Sequence, residues 1–90
     1  MSTWNNRCIV QTYNKGKPYE ETTYSIREVY YDDDGEVLFW SERPASAVVF
    51  EVQEFPQMFQ RFQTAIEKPW LQVSEDEHGN EILVEYKGGK

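Results

Sequence analysis

Two alternating runs flank one acidic turn, and this feature restricts the possible folds more than any other in the chain. Residues 22–31 alternate: Tyr24, Ile26, Glu28 and Tyr30 point one way, Ser25, Arg27, Val29 and Tyr31 the other. A period of two sorts side chains onto the two faces of a β-strand. Both sets contain apolar residues, so the spacing predicts a central strand. Asp32-Asp33-Asp34-Gly35-Glu36 then reads as a tight turn, because Asp tolerates turn geometry and Gly accepts a positive φ. Residues 37–42 alternate again, Val37, Phe39 and Ser41 against Leu38, Trp40 and Glu42. The segment 24–42 is therefore an antiparallel hairpin.

A further strand is expected before it, over 7–13, where Cys8, Ile9, Val10, Thr12 and Tyr13 favour extended structure. The cluster Asn14-Lys15-Gly16-Lys17-Pro18 ends it. After the hairpin, Pro44 closes the third strand, and 47–50 reads equally as a short strand or a helix approach. Val52, Phe55, Phe59, Phe62 and Ile66 then recur at spacings of three and four, with Met58 and Ala65 widening the stripe. That periodicity predicts an amphipathic helix over 53–67, with Pro56 in its first turn and Lys68-Pro69 ending it. Two more strands are expected at 70–74 and 81–86, joined by a polar turn over 75–80 that resembles the turn at 32–36. The expected fold is α+β: an antiparallel sheet of three to five strands with one amphipathic helix packed on one face, in the order β-β-β-α-β-β. The 90 residues fit one domain, 1–90, with a frayed tail at 87–90.

Charge and cysteine content narrow the function. The net charge of −7 opposes the phosphate neutralisation on which nucleic-acid binding depends, and the basic residues are scattered. Cys8 is the only cysteine, so no internal disulfide is available and no oxidising compartment is implied. No basic leader precedes an apolar stretch, and no apolar run approaches the roughly 20 residues of a membrane span. The expectation is a cytoplasmic protein with no nucleic-acid, membrane, metal or cofactor partner.

The pattern Trp4-Asn5-x-Arg7, then Tyr24-x-Ile26-x-Glu28-Val29-Tyr30-Tyr31-Asp32-x-Asp34-Gly35, then Trp40-x-Glu42-x-Pro44, then Ala65-Ile66-x-Lys68-Pro69 resembles a group of small bacterial proteins with no assigned activity. The resemblance spans 4–71 and departs in the helix, where Pro56 and several Phe and Gln replace the expected Leu and Glu. It implies a bacterial cytoplasmic origin and brings no activity. The layout of three antiparallel strands and a helix is also similar to that of HicB-type antitoxins, which implies a small basic protein as partner.

Each candidate chemical site has a plainer reading. The Asp32–Glu36 turn lacks the loop length and final bidentate Glu of an EF-hand, so a solvated turn is expected. His78 has carboxylates near it in sequence but no second His and no Cys partner, so it reads as a surface residue. Cys8 reads as core, and Glu28 as a structural carboxylate needing Arg7 or a Tyr hydroxyl. The aromatic fraction, 16 %, is the informative excess. One helix covers one face, so the other face is expected to expose an interface containing Tyr13, Tyr31, Leu38 and Trp40. The expected function is a non-enzymatic protein–protein interaction module, binding another protein or a second copy of itself as a homodimer. The alternatives are an antitoxin-like regulator of a small basic protein, and a small hydrolase or ligand-binding protein.

Overall fold

The computed structural model describes residues 3–45 and 49–88. Strands β1 (Thr3–Tyr13), β2 (Glu21–Tyr31) and β3 (Val37–Trp40) are followed by a 3-10 turn (Val52–Glu54), helix α1 (Phe55–Glu67), and strands β4 (Leu71–Glu75) and β5 (Glu81–Glu85). The α+β class and the order β-β-β-α-β-β are as read from the sequence. All five strands form one sheet in the order β3-β2-β1-β4-β5. The expected ambiguity at 47–50 falls partly on residues 46–48, outside the described residues, as do residues 89 and 90 of the expected tail.

The sheet is mixed and barrel-like rather than purely antiparallel. β1–β2, β2–β3 and β4–β5 are antiparallel, but β1 pairs with β4 in parallel, Ile9 against Leu71 and Val10 against Gln72. The reason lies in the path of the helix. Met58 and Phe62 share a cavity wall with Trp4 and Asn6, while Ile66 and Trp70 share one with Cys8 and Ile9. α1 therefore runs along β1 in the same direction. Lys68 leaves the helix in extended conformation, at φ −77° and ψ 160°, and no reversal intervenes before β4. The chain reaches the free edge of β1 already travelling with it. The Arg7 guanidinium pins this exit by donating from Nη2 to the Pro69 carbonyl at 2.6 Å.

Helix α1 begins at Phe55, two residues later than its periodicity suggests, because Pro56 sits in the first turn and the preceding residues form the 3-10 turn. Both polar hairpin turns have one geometry. Asp32 Oδ1 accepts the N–H groups of Asp34 and Glu36, each at 2.9 Å, and Gly35 has φ 82°. Asp76 Oδ1 likewise accepts those of His78 and Asn80 at 2.9 Å, with Gly79 at φ 82°. The Asp carboxylate replaces a turn of backbone, and the Gly three residues on supplies the left-handed step.

The register assigns the faces. Trp4, Asn6, Cys8 and Val10 share the helix side with Tyr30, Glu28, Ile26 and Tyr24, and Asn5, Arg7, Ile9 and Gln11 share the other with Val29, Arg27 and Ser25. The core is small: Cys8, Val10, Met58 and Ala65 on the helix side, Ile9 and Val29 on the other. The Arg27 side chain, only 5 % exposed, reaches along the second face to Ser25 Oγ and Gln11 Oε1, both at 2.9 Å. Its charged head is thus hydrogen-bonded while the residue as a whole is buried.

Candidate functional site

Tyr13, Tyr31 and Trp40 all belong to the face opposite the helix, as their pairing with Glu21, Thr3 and Val29 requires. The structure does not gather them into one patch. Tyr13 and Tyr31 stand at opposite ends of the β1–β2 ladder. Tyr31 is half-buried, donating to Asn5 Oδ1 at 2.8 Å and accepting from Arg7 Nη1 at 3.2 Å. Trp40 is half-buried against β2, and Tyr13 donates to Gln11 Oε1 at 3.0 Å. Leu38 is exposed on the edge strand, at the point where the β2–β3 register shifts by one residue.

The exposed aromatic surface lies instead on the helix side, in two groups. Trp4, Tyr30 and Phe39 form a row across β1, β2 and β3: Tyr30 and Phe39 stack at 4.5 Å and 16°, and Trp4 lies 6.3 Å from Tyr30. Trp4 is 51 % and Phe39 55 % exposed. Beyond the other end of the helix, Tyr24, Trp70 and Tyr86 meet with centroids 6.2 to 6.4 Å apart. Trp70 Nε1 donates to the Ile66 carbonyl at 3.0 Å, which ties this cluster to the end of α1. Beneath it, an apolar cavity of about 310 Å³ is lined by Cys8, Ile26, Tyr24, Ile66 and Trp70. Only part of the row was within reach of sequence reading. Tyr30 alternates with Tyr24 and Ile26, but the bulge at Leu38, which brings Phe39 rather than Leu38 against it, leaves no mark in the alternation.

Glu28 faces the helix side and finds a tyrosine. Tyr30 donates to Glu28 Oε1 at 2.5 Å, and this hydrogen bond, with desolvation and the carboxylate charge, raises the Tyr30 hydroxyl above its ordinary pKa. Arg7, the other expected partner, lies on the opposite face. Glu28 also borders a cavity of about 240 Å³ with Trp4, Asn6, Met58, Arg61 and Phe62. His78 is exposed, with Nε2 3.7 Å from Glu77 Oε1, and Cys8 is buried. Among the described residues no three His, Cys, Asp or Glu side chains converge as a metal site would require, and no helix is long and apolar enough to cross a membrane.

A third cavity lies beside the helix. About 450 Å³ lies between β1 and the flank of α1, against Asn6, Gln57, Gln60, Arg61, Thr64 and Lys68. The helical residues in this set recur every three or four positions, so they form one stripe beside the buried Met58–Ala65 stripe.

No protein-family model, curated protein or solved structure matches the chain.

Proposed function

We propose that the protein is a non-enzymatic interaction module whose partner docks on the Trp4–Tyr30–Phe39 row and the adjoining β3 edge. The carrying observation is the exposure of that row, because a continuous aromatic surface left in water is characteristic of a binding site. The edge supports it. Val37, Leu38 and Phe39 are exposed and uncharged, and β3 pairs with β2 alone among the described strands, which leaves one side of its backbone open to an added strand. The acidic turn Asp32–Glu36 adjoins this edge. A partner with an apolar centre and a basic rim complements both features. An antitoxin-like regulator holding a small basic protein is the narrower form of this reading. A homodimer is the other form, and the net charge of −7 on each copy opposes it.

Two measurements test the reading together. Light scattering of the purified chain reports self-association. Affinity capture from the source organism, followed by titration of the purified captured protein, reports a foreign partner. A basic partner should bind the wild type and lose roughly 30-fold in affinity with Phe39→Ser, the size of a hot-spot truncation. A monomer with no partner sensitive to Phe39→Ser or Trp4→Ser would refute the proposal.

A further inference from the structure

We infer that the trough between α1 and β2 receives an amphipathic helix of a partner protein, apolar along one stripe and basic at both ends. The inference rests on the reading of the Trp4–Tyr30–Phe39 row as a docking surface, and it names what docks there.

The first observation is the space. α1 packs on β1. Neighbouring strands lie about 4.8 Å apart, so β2 and β3 carry the sheet roughly 10 Å beyond β1. Among the described residues α1 is the one α-helix, and that width is left uncovered. Packed helix axes are about 8–10 Å apart, so one more helix fits beside α1 over β2 and β3. Two cavities mark the trough. Ile66 of α1 lines the first with Tyr24 and Ile26 of β2, and Phe62 of α1 lines the second with Glu28 of β2.

The second is the chemistry of its wall and floor. Phe55, Phe59, Phe62 and Ile66 follow one another at spacings of four, three and four, which makes an apolar ridge along α1. Phe55 and Phe59 stack at 5.7 Å, yet Phe59 is 56 % exposed. Between Glu54 and Glu67 the helix carries one charge, Arg61. Tyr24, on the floor, is 60 % exposed. Half of each ring of Trp4, Tyr24, Phe39 and Phe59 amounts to roughly 400 Å² of aromatic surface, the size of a functional patch. A ridge with this spacing interlocks with the ridges of another helix. A strand added at the β3 edge would leave the ridge in water.

The third is charge. Glu20 and Glu21 stand at one end of β2, and Asp32, Asp33, Asp34 and Glu36 at the other. The Glu28 carboxylate between them is already hydrogen-bonded by Tyr30. An apolar helix with basic ends complements this distribution. A second copy of the chain does not: its α1 lays its apolar residues on its own β1, and Gln60, Gln63 and Glu67 face outward.

The test titrates the full chain, by amide NMR, with three synthetic peptides of about fourteen residues, roughly 21 Å long as helices. The first is a Leu–Lys peptide with leucines at helical spacing. The second has the same composition with leucine and lysine alternating. The third is a Leu–Glu peptide at helical spacing. We expect the first to bind with a Kd of about 10 μM, shifting the Ile26, Phe59 and Ile66 amides, and the other two to bind about tenfold or more weakly. Phe59→Gln should weaken the first about tenfold, and Leu38→Ser on the β3 edge should leave it unchanged. Unaltered Ile9 and Val29 amide signals will report an intact core in both variants. Preference for the alternating peptide, lost with Phe39→Ser but not with Phe59→Gln, would overturn the helix and keep the row as a docking surface. Helical binding that survives Phe59→Gln, equal binding of the Leu–Glu peptide, or no binding at all would also overturn the inference. Whether the row itself docks a partner is decided separately, by the Phe39→Ser titration of the captured protein.

Discussion

Asp76 shows how much one side chain does in a short turn. Its carboxyl lies below its ordinary pKa because the Asn80 N–H donates to it, with further donation from the His78 N–H and the Asn80 side chain. A depressed folded pKa means the stabilisation is complete above the unfolded value of about 3.9 and disappears as pH falls through the folded value. Asp76→Ala should therefore lower the thermal midpoint at neutral pH and make the remaining midpoint less sensitive to acid. An acid limb as steep in the variant as in the wild type would show that another carboxylate carries it. The spacing of Asp and Gly made both turns legible in the sequence. Arg27 was not legible. Arg27 looks like a solvent-facing residue in the alternation, yet its partners are a Gln and two Ser residues, neutral groups that give no pairing signal.

At the level of elements, the contact between α1 and β1 organises the helix side of the sheet. Ala65 is fully buried there. A larger side chain at that position has no free volume, and overpacking costs about 1–3 kcal/mol. Ala65→Leu should lower the unfolding free energy by that amount, read as a lower urea midpoint with the slope unchanged, and an unaffected midpoint would mean that the helix is not seated on β1. The helix itself was plain from its three-and-four spacing, and its end from Lys68-Pro69. The parallel junction was not. Strand sequence records which residues favour extension, but the direction in which β4 joins β1 is set by the path of the helix, and that depends on contacts between Met58, Phe62 and Ile66 and residues some 50 positions earlier. The interface expected at Tyr13, Tyr31, Leu38 and Trp40 depended on the same unknown. Tyr31 and Trp40 are half-buried, Tyr13 stays exposed on their face, and the more exposed rings of Trp4, Tyr24 and Phe39 occupy the side that the helix shares.

At the scale of the whole molecule, charge is abundant, and among the described residues little of it is held in ion pairs. Among the described residues the one close approach of a basic side chain to a carboxylate that we find is between exposed His78 and Glu77, at 3.7 Å, against a net charge of −7. Screening therefore removes much repulsion and little attraction. The thermal midpoint should rise as sodium chloride increases from low ionic strength to about 0.5 M, where the Debye length is only a few ångströms. A falling midpoint would reveal stabilising ion pairs not visible in this arrangement.

The short β1–β4 seam also sets an order of events. β1 and β2 meet across a local hairpin, whereas Ile9 must wait for Leu71, 62 positions later (71 − 9), to close its other side. At translation rates of about 5–20 residues per second, that interval is roughly 3–12 s. During it, the strand destined for the middle of the sheet is an edge, with Ile9 and Val10 on it. The nascent chain thus passes through a stage in which its most apolar backbone is its most available, and the arrival of the last hairpin ends that stage.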